Sequence, residues 1–144
     1  MKKIIAFAVA SFAVFALMVP TTFAAEFIAP DQESGNVTLS SGEKHHNTYV
    51  AGGTVFVNTD ITGDLYAAGG TITTEGKIEQ DAVIAGGTVI INGAVGGDVR
   101  VAGGNVTING AVAGDVLLAG GSVHLTEKAS IGGDLAAASG DMII

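Results

Sequence analysis

Five acidic residues recur along the chain. Asp64, Asp81, Asp98 and Asp115 are spaced 17 apart, and Asp134 follows 19 residues later. Carboxylates at one position of successive repeats could hold a row of divalent cations, because Ca²⁺ takes several carboxylate and carbonyl oxygens. The nonapeptide glycine–aspartate rhythm of calcium-binding β-rolls is missing. The expectation is therefore structural: Asp at a Gly-Asp corner accepts local backbone hydrogen bonds, as in Asx turns. Asn58, Asn92 and Asn109 form a second polar column, where stacked amides add to β structure. His45 and His46 could start a metal site, but no third ligand stands at a suitable spacing, and no metal site is expected. His124, between Val123 and Leu125, is expected to face outward.

Other chemistry is excluded by residue type. The chain has no Cys, hence no disulfide framework, thiolate metal site or thiol nucleophile. It has no G-x-S-x-G, no H-E-x-x-H and no Walker-type phosphate loop. "AGG" recurs at Ala51, Ala68, Ala85, Ala102 and Ala119. A phosphate cradle is needed once and must precede a helix, so these repeats are not cradles. Lys and Arg total 6 against 14 Asp and Glu, for a net charge of −8. Nucleic-acid binding needs clustered basic residues and is not expected. The loops are only corners, so no cleft is expected either. The reading is non-enzymatic: no catalytic residue, no cofactor, no metal and no small-molecule substrate.

The elements that carry these columns follow from the repeat. Counting each Ala of "AGG" as position one, apolar residues fill five columns. The fifth position reads Val55, Ile72, Val89, Val106, Val123, and the seventh Val57, Thr74, Ile91, Ile108, Leu125. The eleventh, fifteenth and seventeenth continue with Ile78, Val99 and Val101 among others. Apolar residues two apart are strand periodicity, and Val and Ile suit a pleated surface. Gly would break a helix, and no helical period is present. Each repeat is read as about three very short strands joined at Asn-Gly, Gly-Asp and Gly-Gly corners, residues that tolerate positive φ. Such strands are too short for a hairpin meander, although Asn-Gly is a hairpin signal. They suit a solenoid in which each coil pairs with the next. The expected fold is all-β: a right-handed parallel β-helix of about six three-faced coils, spaced ~4.8 Å apart. Val37-Thr38-Leu39 aligns with Val55-Phe56-Val57 at a spacing of 18, and the copy from Ala119 is longer by two.

The N-terminus reads as a secretory signal peptide. Lys2 and Lys3 precede an apolar run from Ile4 to Val19, and Thr22-Phe23-Ala24 offers a cleavage site before Ala25. The alternative is a membrane anchor over 4–19, a run of 16 residues where a span needs roughly 20. The expected organisation is a signal peptide at 1–24, an N-terminal linker or cap at 25–36, and β-helix repeats over 37–144. After cleavage, Lys44, Lys77, Arg100 and Lys128 are the basic residues left against 14 acidic ones.

The run "QDAVIAGGTVIINGAVGGDVRVAGGNVTINGAVAGDVLLAGG" resembles the bactofilins, polymer-forming cytoskeletal proteins of bacteria. The resemblance covers about Val37 to Ile144 and rests on the Gly-Asp corner, the V-x-I-N-G strand-turn and the 17-residue coil. It implies a β-helix that polymerises end to end without nucleotide and acts as a scaffold at the envelope. It carries over no catalytic residue. The export signal departs from the typical cytoplasmic bactofilin, so the expectation is an exported bactofilin-like repeat protein in the periplasm, at the cell surface or outside the cell. Its expected partners are other copies of itself and the envelope or cell wall. The last copy, "ASGDMII", stops inside a repeat. That leaves Met142 and Ile144 either to pair with another molecule or to be covered by further coils and a membrane segment. A surface adhesin or glycan-binding module, using Tyr49, Phe56 and Tyr66, is the alternative function.

Overall fold

Each repeat contributes one ten-residue strand that passes straight through its Gly-Gly pair. A computed structural model describes residues 26–29 and 35–144; the expected signal peptide and the alternative anchor at 4–19 lie outside the described residues. In chain order the strands are β1 (Glu26–Ile28), β2 (Asn36–Leu39), β3 (Thr48–Val57), β4 (Leu65–Thr74) and β5 (Ala82–Ile91). They continue with β6 (Val99–Ile108), β7 (Ala111–Val112), β8 (Val116–Leu125), β9 (Ser130–Ile131) and β10 (Leu135–Ile143). The described residues are all-β without a helix, and every strand pair is parallel. The main sheet runs β1-β3-β4-β5-β6-β8-β10, with β2 also on β3. The fold is a β-solenoid of about six turns.

The register is the sequence repeat made physical. Ile91 lies over Ile108 and Val101 over Leu118. Val37 pairs with Val55, and Leu135 with Val116, so the spacings of 18 and 19 are absorbed as the apolar columns demand. Five inward columns make the core. Val55, Ile72, Val89, Val106 and Val123 are buried in one, and Ile61, Ile78, Val95 and Val112 in another. Each such side chain contributes about 1.5–3 kcal/mol when fully buried.

Two expectations need correction. The Gly-Gly pair does not separate two short strands. In β4, Leu65 and Ala67 point inward before the pair, and Ile72 and Thr74 after it, so the inward parity switches. Pairing omits only the second glycine, Gly70. The strand bends there without losing its ladder, because the neighbouring coil bends at the same place. A second face is thus continuous with the first, and single bridges at Ile61, Ile78, Val95 and Val112 carry the third. The other correction concerns backbone torsion. Among the described residues, only Gly35 and Gly42 have positive φ. The Asn-Gly and Gly-Asp corners use ordinary torsions and need glycine for close approach of coils.

Thr74 stands in an inward column otherwise filled by Val57, Ile91, Ile108 and Leu125, and its buried hydroxyl has no hydrogen-bond partner. A buried unpaired polar group is costly. Thr74→Val should therefore stabilise the fold by about 1 kcal/mol, read as a rise in the urea midpoint; an unchanged or lowered midpoint would show that the hydroxyl is satisfied.

The first turn is the irregular one. Glu26–Ile28, expected in the N-terminal linker or cap, pairs with Thr48–Val50, and His45 bridges to Ile61. Together with β2 they make an opening coil that does not keep the 17-residue step.

Candidate functional site

The acidic column is built by hydrogen bonds between coils. Asp98 N–H donates to Asp81 Oδ1 at 2.8 Å, Asp115 N–H to Asp98 Oδ1 at 2.9 Å, and Asp134 N–H to Asp115 Oδ1 at 2.8 Å. The local Asx turn expected from the sequence is thus replaced by a contact to the preceding coil. The reason is the rise. At the interstrand spacing of ~4.8 Å, a carboxylate reaches the amide one coil on. Gly97 makes the room, since a β-carbon there would overlap Asp81 Oδ1. Gln80 fills the equivalent position below, and the bond there, from Asp81 N–H to Asp64 Oδ1, is longer at 3.1 Å. Asn47 starts the column by accepting from Asp64 N–H at 3.0 Å.

Like charges about 4 Å apart repel by about 1 kcal/mol in water. Arg100 offsets part of this, with Nη2 2.9 Å from Asp98 Oδ2 and Nη1 3.4 Å from Asp81 Oδ2. Asp98→Ala removes both an acceptor and half of this clamp and should cost about 1 kcal/mol. Asp98→Asn keeps the acceptor and lowers the repulsion, and should stay within about 0.5 kcal/mol of the parent. Equal losses in the two variants, measured by chemical denaturation, would mean that the charge and not the inter-coil bond supports the column.

The Asn column also extends beyond its sequence definition. Asn109 Nδ2 donates to Asn92 Oδ1, and Asn92 Nδ2 to Glu75 Oε1 at 2.6 Å. Glu75 shares their position in the repeat, eight counting from the Ala of "AGG", but is a different residue type, which hid it from a search for amides.

An aromatic column runs along the outward face of the first strand halves. Tyr49 and Tyr66 are register partners, with ring centroids 4.6 Å apart and planes 4° from parallel. Phe27 pairs with Tyr49 and is exposed. Phe56 pairs with Thr73 in the other half of the bent strand and does not join them. Ala51, Ala68 and Ala85 are small, so a trough of about 290 Å³ opens beside the two tyrosines and Val83. Phe27 was the member sequence reasoning missed, because its 22-residue offset from Tyr49 breaks the period.

The Asp64 carboxylate holds the Tyr66 phenol above the ordinary tyrosine value, helped by burial, Tyr49 and Asp81 and opposed by Arg100. An acid whose folded value is raised keeps its proton longer in the folded chain. Its contribution to stability is present below the ordinary tyrosine value and is lost as pH rises through the folded one. In Asp64→Asn, the alkaline tyrosine absorbance change should shift to lower pH. A titration that does not move would assign the effect to another neighbour.

The histidines separate. His124 is exposed on β8, as expected, with Thr107 as register partner. His46 Nδ1 lies 2.6 Å from the Thr62 hydroxyl. His45 is buried, and its Nδ1 is 2.7 Å from Glu26 Oε2. The adjacent pair therefore points to two different environments. Among the described residues, no group of three or more His, Cys, Asp or Glu has the geometry to hold a metal ion.

The expectation of a surface without a cleft is also revised. A depression of about 700 Å³ lies beside the insertion at 126–129, lined by Asn92, Asn109, His124, Glu127, Lys128 and Ile144 among others. The insertion lines it with Thr126, Glu127 and Lys128 and is closed by a bond from Ala129 N–H to Thr126 O at 2.9 Å.

At the other end of the repeat array, β10 pairs with β8 alone among the described residues. Its Leu135, Met142 and Ile143, and the adjoining Ile144, are exposed, Ile144 to 83%. No described helix is long and apolar enough to cross a membrane. No protein family, curated protein or solved structure matches the chain.

Proposed function

We propose that the chain is a non-enzymatic scaffold that self-associates end to end through its coils. The observation that carries this reading is the register itself: each inner coil pairs with a near copy of itself through a parallel ladder over apolar columns. A coil that stacks on its own copy offers the same ladder and apolar cross-section to a coil of another chain. The lateral faces carry the Asp column and suit contact between rods less well, because like charge repels. The signal-peptide pattern at 1–24 supports export to the envelope, and the resemblance to bactofilins supports polymer formation. Sedimentation velocity and negative-stain electron microscopy of the purified chain test the reading. Defined end-on assemblies are expected; a monomer at high protein concentration would end it.

The stacked Tyr49–Tyr66 pair favours one second reading, a glycan-binding module. Aromatic faces and edges with neighbouring carboxylates suit sugar rings. Glycan-array binding that disappears in Tyr66→Ala would support it, and an empty array would dismiss it.

A further inference from the structure

The chain has two tyrosines and neither tryptophan nor cysteine. Both tyrosines stand on the outward face of the first strand halves, Tyr49 on β3 and Tyr66 on β4. The parallel register makes them direct partners, and their rings stack with centroids 4.6 Å apart and planes 4° from parallel. Partners in a parallel ladder project alike, so the carbons ortho to the two hydroxyls lie on the same side of the stack. Phe27 is the next residue beyond Tyr49 in this column and Val83 the next beyond Tyr66. Neither can form a phenoxyl radical.

Phenols, indoles and thiols are the side chains that give up a single electron most readily. With no indole or thiol, a one-electron oxidant acting on this chain is left with the two phenols. Methionine sulfur takes up an oxygen atom instead, and Met142 lies on β10, in another coil. Tyr49 is exposed and Tyr66 half-buried, so a soluble oxidant reaches both rings. The negative charge of Asp64, foremost among its neighbours, holds the Tyr66 phenol above the ordinary tyrosine value. The same charge eases the removal of an electron.

We propose that Tyr49 and Tyr66 form a cross-linking site, which a one-electron oxidant converts into a dityrosine that staples β3 to β4. Each phenol loses one electron to the oxidant and one proton to water. The two phenoxyl radicals join through a carbon–carbon bond between ortho positions. The hydrogen on each joined carbon then moves to its ring oxygen, which restores both aromatic rings. The product is lighter by two hydrogen atoms, and the oxidant has gained two electrons. The stack supplies in advance the encounter that this coupling needs. The link spans one 17-residue step of the repeat and closes a loop as a disulfide would in a chain with cysteines. It acts within one chain and is independent of whether rods assemble.

The test irradiates the dilute purified chain with a ruthenium tris-bipyridyl photo-oxidant and persulfate, which accepts the electrons. Dityrosine fluorescence is expected at the mass of a single chain. Trypsin, cutting after Lys44 and Lys77, should release peptide 45–77 lighter by two hydrogens. Cleavage at Asp60 and Asp64 should leave its two tyrosine fragments joined. The yield should be at least about tenfold that of the chain unfolded in urea. Equal yields in the two states would overturn the proposal, because any flexible chain with two tyrosines would then do as well. Coupling found only between chains would overturn it too, as would oxidised tyrosines left unjoined. The double variant Tyr66→Phe, Val83→Tyr keeps two tyrosines on the same face but sets them two coils apart. It should lose the intrachain link, and a link that survives there removes the role of the stack.

Discussion

Gly93→Ala is expected to cost about 3 kcal/mol or more. Nothing about the torsion of Gly93 requires glycine. A β-carbon there would fall on the carbonyl oxygen of Gly76 and crowd Glu75 O. Gly110 stands in the same relation to Gly93, so three successive coils are in contact through bare backbone. The chain cannot relieve the clash by a rotamer change. The coils must separate, and the bonds from Asn92 N–H and Gly93 N–H to Thr74 O, at 2.8 and 3.2 Å, stretch with them. Gly42→Ala is the matched control. Gly42 has φ of +103° and open space around its missing side chain, so its cost is torsional, about 1 kcal/mol. Urea denaturation of the two variants gives the comparison. A smaller loss for Gly93→Ala than for Gly42→Ala would mean that the corner column is loosely packed and that torsion dominates.

The same column explains what could be read in advance and what could not. The repeat gave the register, because apolar residues at fixed spacing have one arrangement that buries them all. Val37 lies over Val55 as the alignment at a spacing of 18 expects, and Ile131 lies beside Val112 once the two extra residues of the copy from Ala119 are absorbed. The reason for the glycines was not readable. A turn with positive φ and a close backbone approach both select glycine, and composition cannot separate them. The position that follows Gly110 in the next coil is Glu127, which is exposed and lies in the insertion at 126–129. The acceptors of the Asp column were likewise hidden, since their partners lie 17 or 19 residues away and a reading based on local turns looks only nearby. The opening coil was least legible. Its polar pair replaces the apolar residues that mark every other coil, so the apolar columns gave no place to Glu26, Phe27 or His45.

Met142→Lys is expected to weaken self-association at least 100-fold while leaving the fold intact. Met142 stands in an inward column over Val123 and is 38% exposed. In the free chain a Lys here can direct its ammonium into water, along an apolar stem, and stability should change by less than about 0.5 kcal/mol. In an end-on joint the same ammonium is buried against apolar side chains without a partner, which costs several kcal/mol. Each ~1.4 kcal/mol is tenfold in affinity, so the loss exceeds two decades. Leu117→Lys supplies the control. Leu117 is also exposed, at 54%, but it lies on the outward face of β8 between Arg100 and Ala136. It should leave association unchanged if contact is end-on, and abolish it if rods pack side by side. Sedimentation velocity over a concentration series separates the two cases. Assembly that survives Met142→Lys and fails with Leu117→Lys would move the interface from the coil end to the lateral face.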